Sequence, residues 1–433
     1  MREQPAKSLL HISFLCAGFL GIQIGFALQA GNVTRILQNY GANLTEVSLF
    51  WLIAPFSGAI IQPLIGHWSD RQIHKGSSRI PFLLSGGILS VLALMALPNA
   101  NLLMTVWSPL LIGALLLVII DISFNVSMHP LRAAIPDYLP LHQQPKGFAI
   151  QTYLISVGAI IGSTLPYILN RYFGLASISL DNNIPDNVKW SFYLGAFLLL
   201  ITILITSQII LKSKMVHIPS IKSHHEKSLS IPQIPAKMWR LGVIQFFSWA
   251  SFFLVWIYMT PAVAQHIFQE YSHDPQAEPY SKAANITGVL FGCYHLSASI
   301  FSLILPRLYK KYSIINTHLV ALFIGGIGLF LIIQCSTIQQ LYVPMFLLGI
   351  SWASILASPF ALLSRIIPTH KIGLYFGVFN LFITLPQILI GLCSGFIIKE
   401  IFGGQAIYAL VIAAASLGFA ALWSVFFRKS LSL

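Results

Sequence analysis

The chain has 433 residues, 56% of them hydrophobic and only 9% charged, and its mean hydropathy is strongly positive, which excludes an ordinary soluble globular protein. A formal net charge of +13 does not point to nucleic acid, because the basic residues are spread over many short loops rather than gathered on one face. Cys16, Cys293, Cys335 and Cys393 all lie in apolar runs without metal-ligand spacing, so neither disulfides nor a metal or other cofactor is indicated.

Taking about 20 apolar residues as one bilayer crossing, the sequence predicts an all-α membrane protein with twelve transmembrane helices. They fall near residues 9–30, 47–66, 80–97, 107–131, 148–169, 190–211, 240–267, 283–305, 317–335, 341–363, 373–398 and 406–427. The opening MREQPAKSLLH leads into the first apolar run with no small-residue cleavage site, so it reads as a retained helix rather than a removable signal. An even number of crossings puts both termini on one side. With that side cytoplasmic, all 25 Lys and Arg residues except Arg35, Arg171, Lys189, Lys282 and Lys399 fall in inner segments, as the positive-inside rule requires. The expectation is a multi-pass protein of the cell membrane.

The longest inner connection, residues 212–239, reads as a flexible basic linker between an N-terminal six-helix bundle, 1–211, and a C-terminal six-helix bundle, 240–433. Its His217, His224 and His225 have no acidic or cysteine neighbour and read as solvated. Basic residues close to the inner leaflet also attract anionic lipid. Two sets of six crossings joined by a central inner loop match the arrangement of two repeats around a midplane cavity. No P-loop pattern is present, so coupling to ATP within the chain is not expected.

Asp121 is the acid most deeply set within an apolar run. A carboxylate near the bilayer centre costs roughly 2.5 to 3.5 kcal/mol on insertion scales and usually faces a cavity. At 100° per residue, Asn125, Met128 and Arg132 share its helical face, which makes a polar seam suited to lining a passage. In the seventh crossing Gln245, Trp249, Phe252 and Trp256 share a face, by the pattern alone either packing or a lipid-interface girdle. Gln23, Gln29 and Asn32 in the first crossing, and Asn380 and Gln387 in the eleventh, are polar enough to reach a cavity or to join neighbouring helices.

Between the second and third crossings runs Gly66-His-Trp-Ser-Asp70-Arg71, followed by Arg79-Ile-Pro81-Phe82. This resembles the inner-loop signature of the major facilitator superfamily, in which glycine permits close helix packing while Asp and Arg make charge-assisted contacts that hold one conformation. The same letters also read as a turn with topology-setting arginines. The resemblance narrows over nearly the full length to the sucrose and maltose proton symporter branch, which includes plant sucrose carriers and bacterial glycoside transporters. It is carried by residues 18–36, by 51–71, by Asp121 with Asn125, Pro130 and Arg132, by 243–264, by 357–364, and by 377–391 with Asn380, Pro386 and Gln387.

That resemblance implies the major facilitator fold and proton-coupled symport of a di- or oligosaccharide by alternating access. The chain would work as a monomer whose partners are a sugar, a proton and the bilayer, and it would catalyse no covalent reaction. It places proton coupling on Asp121, with His129 the next candidate. Substrate contacts fall on Gln29, Asn32, Asp121, Asn125, Arg132, Gln245, Trp249, Trp256, Asn380 and Gln387. An aromatic wall with amide neighbours suits the flat C–H faces and hydroxyls of sugars. Gating falls on Gly66, Asp70, Arg71 and Arg79. Two departures stand out: Ser77-Ser78-Arg79-Ile80 replaces a longer run of arginines, and His129 stands where bacterial members often carry an acid. The rival readings are a uniporter or exporter of sugars or other small molecules on the same fold, and a sugar receptor, which the lack of a long soluble domain or signalling tail disfavours.

Overall fold

The computed structural model describes residues 6–40, 52–103, 108–176, 184–215, 233–269 and 278–431, and its described residues form helices and no strand. We number the α-helices in chain order. They are α1 Leu9–Leu15, α2 Ala17–Asn39, α3 Ile53–His74, α4 Ile80–Ala96, α5 Pro109–Tyr138, α6 Gln144–Phe173 and α7 Asp186–Lys212. After residues 216–232, which lie outside the described set and include most of the expected linker with its three histidines, come α8 Ala236–Ile267, α9 Glu278–Tyr312, α10 Ile314–Ile332, α11 Ile338–Ile366, α12 Ile372–Phe396 and α13 Ile407–Leu431.

Among the described residues, ten helices are long and apolar enough to cross a membrane, and α1 with α2, bent by 42° at Cys16, makes an eleventh if counted as one broken crossing. The protein is a multi-pass helical membrane protein. The second expected crossing begins outside the described residues, at 47–51, and its helix α3 is long but less apolar. Gln62, His67, Asp70, Arg71, Gln72 and His74 all fall on it, and each lowers the mean hydropathy of the run.

Local chemistry starts several of these helices. The Ser8 side chain accepts from His11 N–H, and the Ser108 side chain accepts from Leu111 N–H, each satisfying one of the orphan donors of a helix N-terminus. Thr337 and Gln340 form a capping box at the start of α11. Pro130 and Pro136 lie inside α5, as membrane helices tolerate when neighbouring helices re-satisfy the freed backbone groups.

The chain divides into two compact units. The first comprises Met1–Gly147, Leu154–Pro232 and Pro368–Asn380; the second comprises Phe148–Tyr153, Gln233–Ile367 and Leu381–Leu433. Within the first, α2 packs on α5 and α7, α3 on α5, and α4 on α5 and α7. Within the second, α8 packs on α11 and α13, α9 on α11, and α10 on α11 and α13. Each pairing of the first unit recurs in the second six helices later, so the two halves of the chain repeat one packing plan. The first nine residues of α12 group with the first unit, and this segment completes the site described next.

Candidate functional site

In the first unit the polar stripe of α5 is real and bonded. Asp121 is 1% exposed and its Oδ1 accepts from Gln29 Nε2 on α2 at 2.8 Å. One turn on, Asn125 donates to the Asp121 carbonyl at 2.9 Å and to Ser57 Oγ at 3.0 Å. Its Oδ1 accepts from Gln62 Nε2 of α3 at 2.6 Å. Asp121 therefore links α2 through its carboxylate and, through its backbone carbonyl, the Asn125–Gln62 amide pair that joins α5 to α3. The Oε1 atoms of Gln29 and Gln62 are buried without a protein donor among the described residues, which leaves acceptors for hydroxyl groups or water at a cost of about 1–3 kcal/mol each if left unsatisfied. Asn32 instead donates to the Leu28 carbonyl of its own helix. Arg132 is buried on α5, about 16 Å along the axis from Asp121 at 1.5 Å per residue.

A second feature of the same unit runs along α3. Every fourth residue from Gly58 to His74 meets the segment His370–Asn380, antiparallel to it. Asn380 donates to the Gly58 carbonyl at 3.2 Å, and a Cβ on Gly377 would lie 2.6 Å from the Gln62 carbonyl oxygen. A Cβ on Gly66 would collide with the Gly373 carbonyl. Asp70 accepts from the N–H groups of Gly373 and Leu374 at 2.9 and 2.7 Å, and His74 Nε2 donates to the His370 carbonyl at 2.8 Å. Side chains at i and i+4 share one helical face, so one stripe of α3 is zipped to the start of α12.

Asp70 is the charged centre of that seam. Its two oxygens cap the first N–H groups of α12, a favourable place for a negative charge, and Oδ1 also pairs with Arg79 Nη2 at 2.8 Å. Arg79 in turn bonds Asp137 Oδ2 through Nε at 2.6 Å and Ser69 Oγ through Nη1 at 2.6 Å. The Arg79 and Asp137 side chains are 2% and 4% exposed. His129 reaches the same seam from α5, with Nε2 2.7 Å from the Gly373 carbonyl oxygen. Of the four expected gating residues, Gly66, Asp70 and Arg79 are brought together; Arg71 is exposed.

In the second unit the aromatic face of α8 is the edge of a larger cluster. Trp249 and Trp256 lie 6.0 Å apart, centroid to centroid, and each contacts Trp352 of α11, at 5.3 and 5.4 Å. Phe252 and Tyr294 close the group against Trp352 at 4.7 and 6.3 Å, and Trp256 Nε1 donates to the Tyr294 hydroxyl. The indole N–H groups of Trp249 and Trp352 are buried with no protein acceptor, and Gln245 Oε1 has no protein donor. Such a surface sets flat apolar faces beside hydrogen-bonding groups. Gln387 bonds its own helix at the Ile383 carbonyl and belongs to the second unit, whereas Asn380 belongs to the first.

Sequence reasoning passed over Gln62, Asp137, Trp352, Tyr294 and Gln151. Gln151 is fully buried on α6 with both amide atoms unpartnered. The signal that exposed Asp121, a polar residue within an apolar run, was present for Gln62 and Gln151 too. Asp137 sits at the C-terminal end of its run, where acids are ordinary, and Trp352 and Tyr294 are unremarkable letters in membrane helices.

A sequence model of the family described as Major Facilitator Superfamily matches residues 14–391 and 241–432. The sucrose transport protein SUC4 of Arabidopsis thaliana is 25% identical over 92% of this chain and 85% of its own length. The general alpha-glucoside permease of Schizosaccharomyces pombe is 24% identical over 60% of this chain and 49% of its own length. Among solved structures, the E. coli fucose:proton symporter FucP superposes with a TM-score of 0.70 over 96% of this chain and 98% of that one, at 15% identity, a likeness of fold.

Proposed function

Because the chain belongs to the Major Facilitator Superfamily, we propose that it is a twelve-crossing carrier, built as two six-helix bundles, that moves a di- or oligosaccharide of the sucrose or maltose type inward together with a proton by alternating access. It is a membrane transporter and not an enzyme. The expected bundles, 1–211 and 240–433, joined by the 212–239 linker with both termini cytoplasmic, belong to this proposal, as does function as a monomer.

The observation that carries the reading is the buried Asp121 carboxylate held by Gln29. An acid kept within a membrane helix is there for use in most cases. One that touches an amide group with a spare acceptor, as Asp121 touches Gln29, can exchange a proton and bond sugar hydroxyls at one place. Binding of each then depends on the other, and the dependence is reciprocal. Gln29, Asn125 and Gln62 would orient hydroxyls, and Trp249, Trp256 and Trp352 would stack on a sugar face. Asn32, Arg132, Gln245, Asn380 and Gln387 are assigned weaker or indirect substrate roles. The α3–α12 seam, centred on Gly66, Asp70 and Arg79, would hold one conformation of the cycle. The names of the sucrose and alpha-glucoside relatives support the substrate class.

The test is uptake by the purified protein in liposomes, with labelled sucrose, maltose and monosaccharide controls, with and without an imposed pH gradient. Concentrative uptake of a disaccharide that collapses with a protonophore is expected. Equilibration without accumulation would identify a uniporter, and no counterflow of any sugar would refute the substrate class.

A further inference from the structure

We propose that His129 is a positioning residue of the conformational cycle, which grips the first turn of α12 through the Gly373 carbonyl, and that it does not carry the coupled proton. This rests on the alternating-access reading above and assigns a regulatory contact to its seam.

His129 has no exposed surface, and its one hydrogen bond is from Nε2 to the Gly373 carbonyl oxygen at 2.7 Å. A carbonyl only accepts, so Nε2 carries the hydrogen. Its other nitrogen, Nδ1, is buried and has no protein hydrogen-bond partner among the described residues, so no side chain there is bonded to the atom through which a proton would have to arrive or leave. Arg132 on its own helix and Arg79 at the head of α4 act electrostatically on the ring; Asp70, from α3, is already engaged by Arg79 and by the N–H groups of Gly373 and Leu374. Asp137, the other buried acid at Arg79, is engaged by that guanidinium, so among the described residues both acids of the seam are already paired.

The geometry instead fits a clamp. The N–H groups of Gly373 and Leu374 are held from α3 by an acceptor, Asp70, and the carbonyl of Gly373 is held from α5 by a donor, His129. The first turn of α12 is thus gripped at both ends of one peptide environment by two different helices. The ring reaches the carbonyl across the gap left by Gly66, since a Cβ there would lie 2.8 Å from His129 Nε2. A movement that draws the start of α12 away from both α3 and α5 breaks both contacts together, so the His129 bond is worth its full strength in one conformation and little in the other. Such a differential contact sets the balance between two states.

The tests are His129→Gln, whose amide N–H can replace the donor but cannot titrate, and His129→Leu, which removes the donor. The first readout needs no sugar: amide hydrogen exchange in the purified protein at residues 373–377. Exchange is expected to quicken in His129→Leu by about fivefold to tenfold, the equilibrium equivalent of one hydrogen bond, and to return toward wild type in His129→Gln. Unchanged exchange in a folded His129→Leu protein overturns the clamp. Should the leucine variant not fold, His129→Asn, whose shorter amide falls short of the carbonyl, takes its place. The second readout is pH-driven sugar accumulation against counterflow in liposomes. His129→Gln is expected to keep both; loss of accumulation with counterflow intact would make His129 a proton carrier and overturn the proposal. Failure of the wild type to move any sugar would refute the transport reading while leaving the exchange measurement to judge the clamp.

Discussion

Gly66 and Gly373 exclude a side chain from each other. A Cβ on Gly66 would strike the Gly373 carbonyl, and a Cβ on Gly373 would lie 2.7 Å from the Gly66 carbonyl oxygen and 2.6 Å from Asp70 Oδ1. Real Cβ contacts are not so close, so the seam between α3 and α12 closes only because both positions are glycine. Gly66→Ala is expected to cost about 1–3 kcal/mol where the seam is closed, the usual scale of overpacking, and to shift the protein toward its other conformation. Sugar affinity measured from the two sides of the membrane should then diverge from the wild-type ratio; an unchanged ratio with normal turnover would remove the seam from the cycle.

Asp70→Asn keeps the shape of the side chain but loses the charge that pairs with Arg79 and caps α12. It should lower transport turnover more than sugar affinity, because it weakens a contact that holds a conformation rather than one that holds the ligand. Kinetics in liposomes separate the two effects. Unaltered turnover in a well-folded variant would be evidence against this assignment.

Arg79 stands between two buried acids, Asp70 at 2.8 Å and Asp137 at 2.6 Å. Removing one partner of a buried ion pair leaves uncompensated charge and typically costs about 3–5 kcal/mol. Arg79→Gln should therefore lower the melting temperature in detergent sharply, and the double variant Arg79→Gln with Asp137→Asn should recover part of the loss. Additive losses in the double variant would show that the two residues are not coupled.

In the aromatic cluster, Trp249→Ala is expected to weaken sugar binding by about 1 kcal/mol, roughly fivefold. The motivation is its unpaired buried indole N–H beside Trp256 and Trp352. Binding measured by quenching of the remaining tryptophans, alongside thermal melting, distinguishes the roles: affinity intact with a lowered melting temperature would make Trp249 a packing residue.

The parts of this site that could be read from sequence are those whose signal is local. Asp121 shows because a charge within an apolar run is costly, and Asn125 because it falls one turn away on the same face. The glycine and aspartate of the inner-loop signature were legible as types, but their partners were not. Nothing in the letters around Gly373 gives the register that sets it opposite Gly66, some three hundred residues earlier, because register between distant helices is decided by packing. Trp352 was hidden for a related reason: a tryptophan in an apolar helix is ordinary until four other rings are found around it. The second expected crossing, 47–66, rests on an apolar first stretch, and the C-terminal half of α3 is its least apolar part because it carries the seam. There, polar residues needed for contact with α12 replace the ones that hydropathy counts.

The final prediction concerns Asp121. Its Oδ1 accepts from Gln29, and Asn125 bonds the carbonyl of the same residue, so the position is held on two sides and a substitution of equal size should fold. Asp121→Asn keeps volume and hydrogen-bonding capacity but removes the ability to take up and release a proton. If the carboxylate is the shared seat of proton and sugar, the variant should lose pH-driven accumulation while retaining part of its sugar counterflow, since exchange needs the conformational cycle but not a change of protonation. Asp121→Ala should lose both, because it also takes away the acceptor that orients Gln29. The two variants together separate titration from bonding. Equal loss of counterflow in both would mean that exchange itself needs the carboxyl's charge or proton and not only its hydrogen bond to Gln29, and undiminished uphill uptake by Asp121→Asn would place the coupled proton on another group.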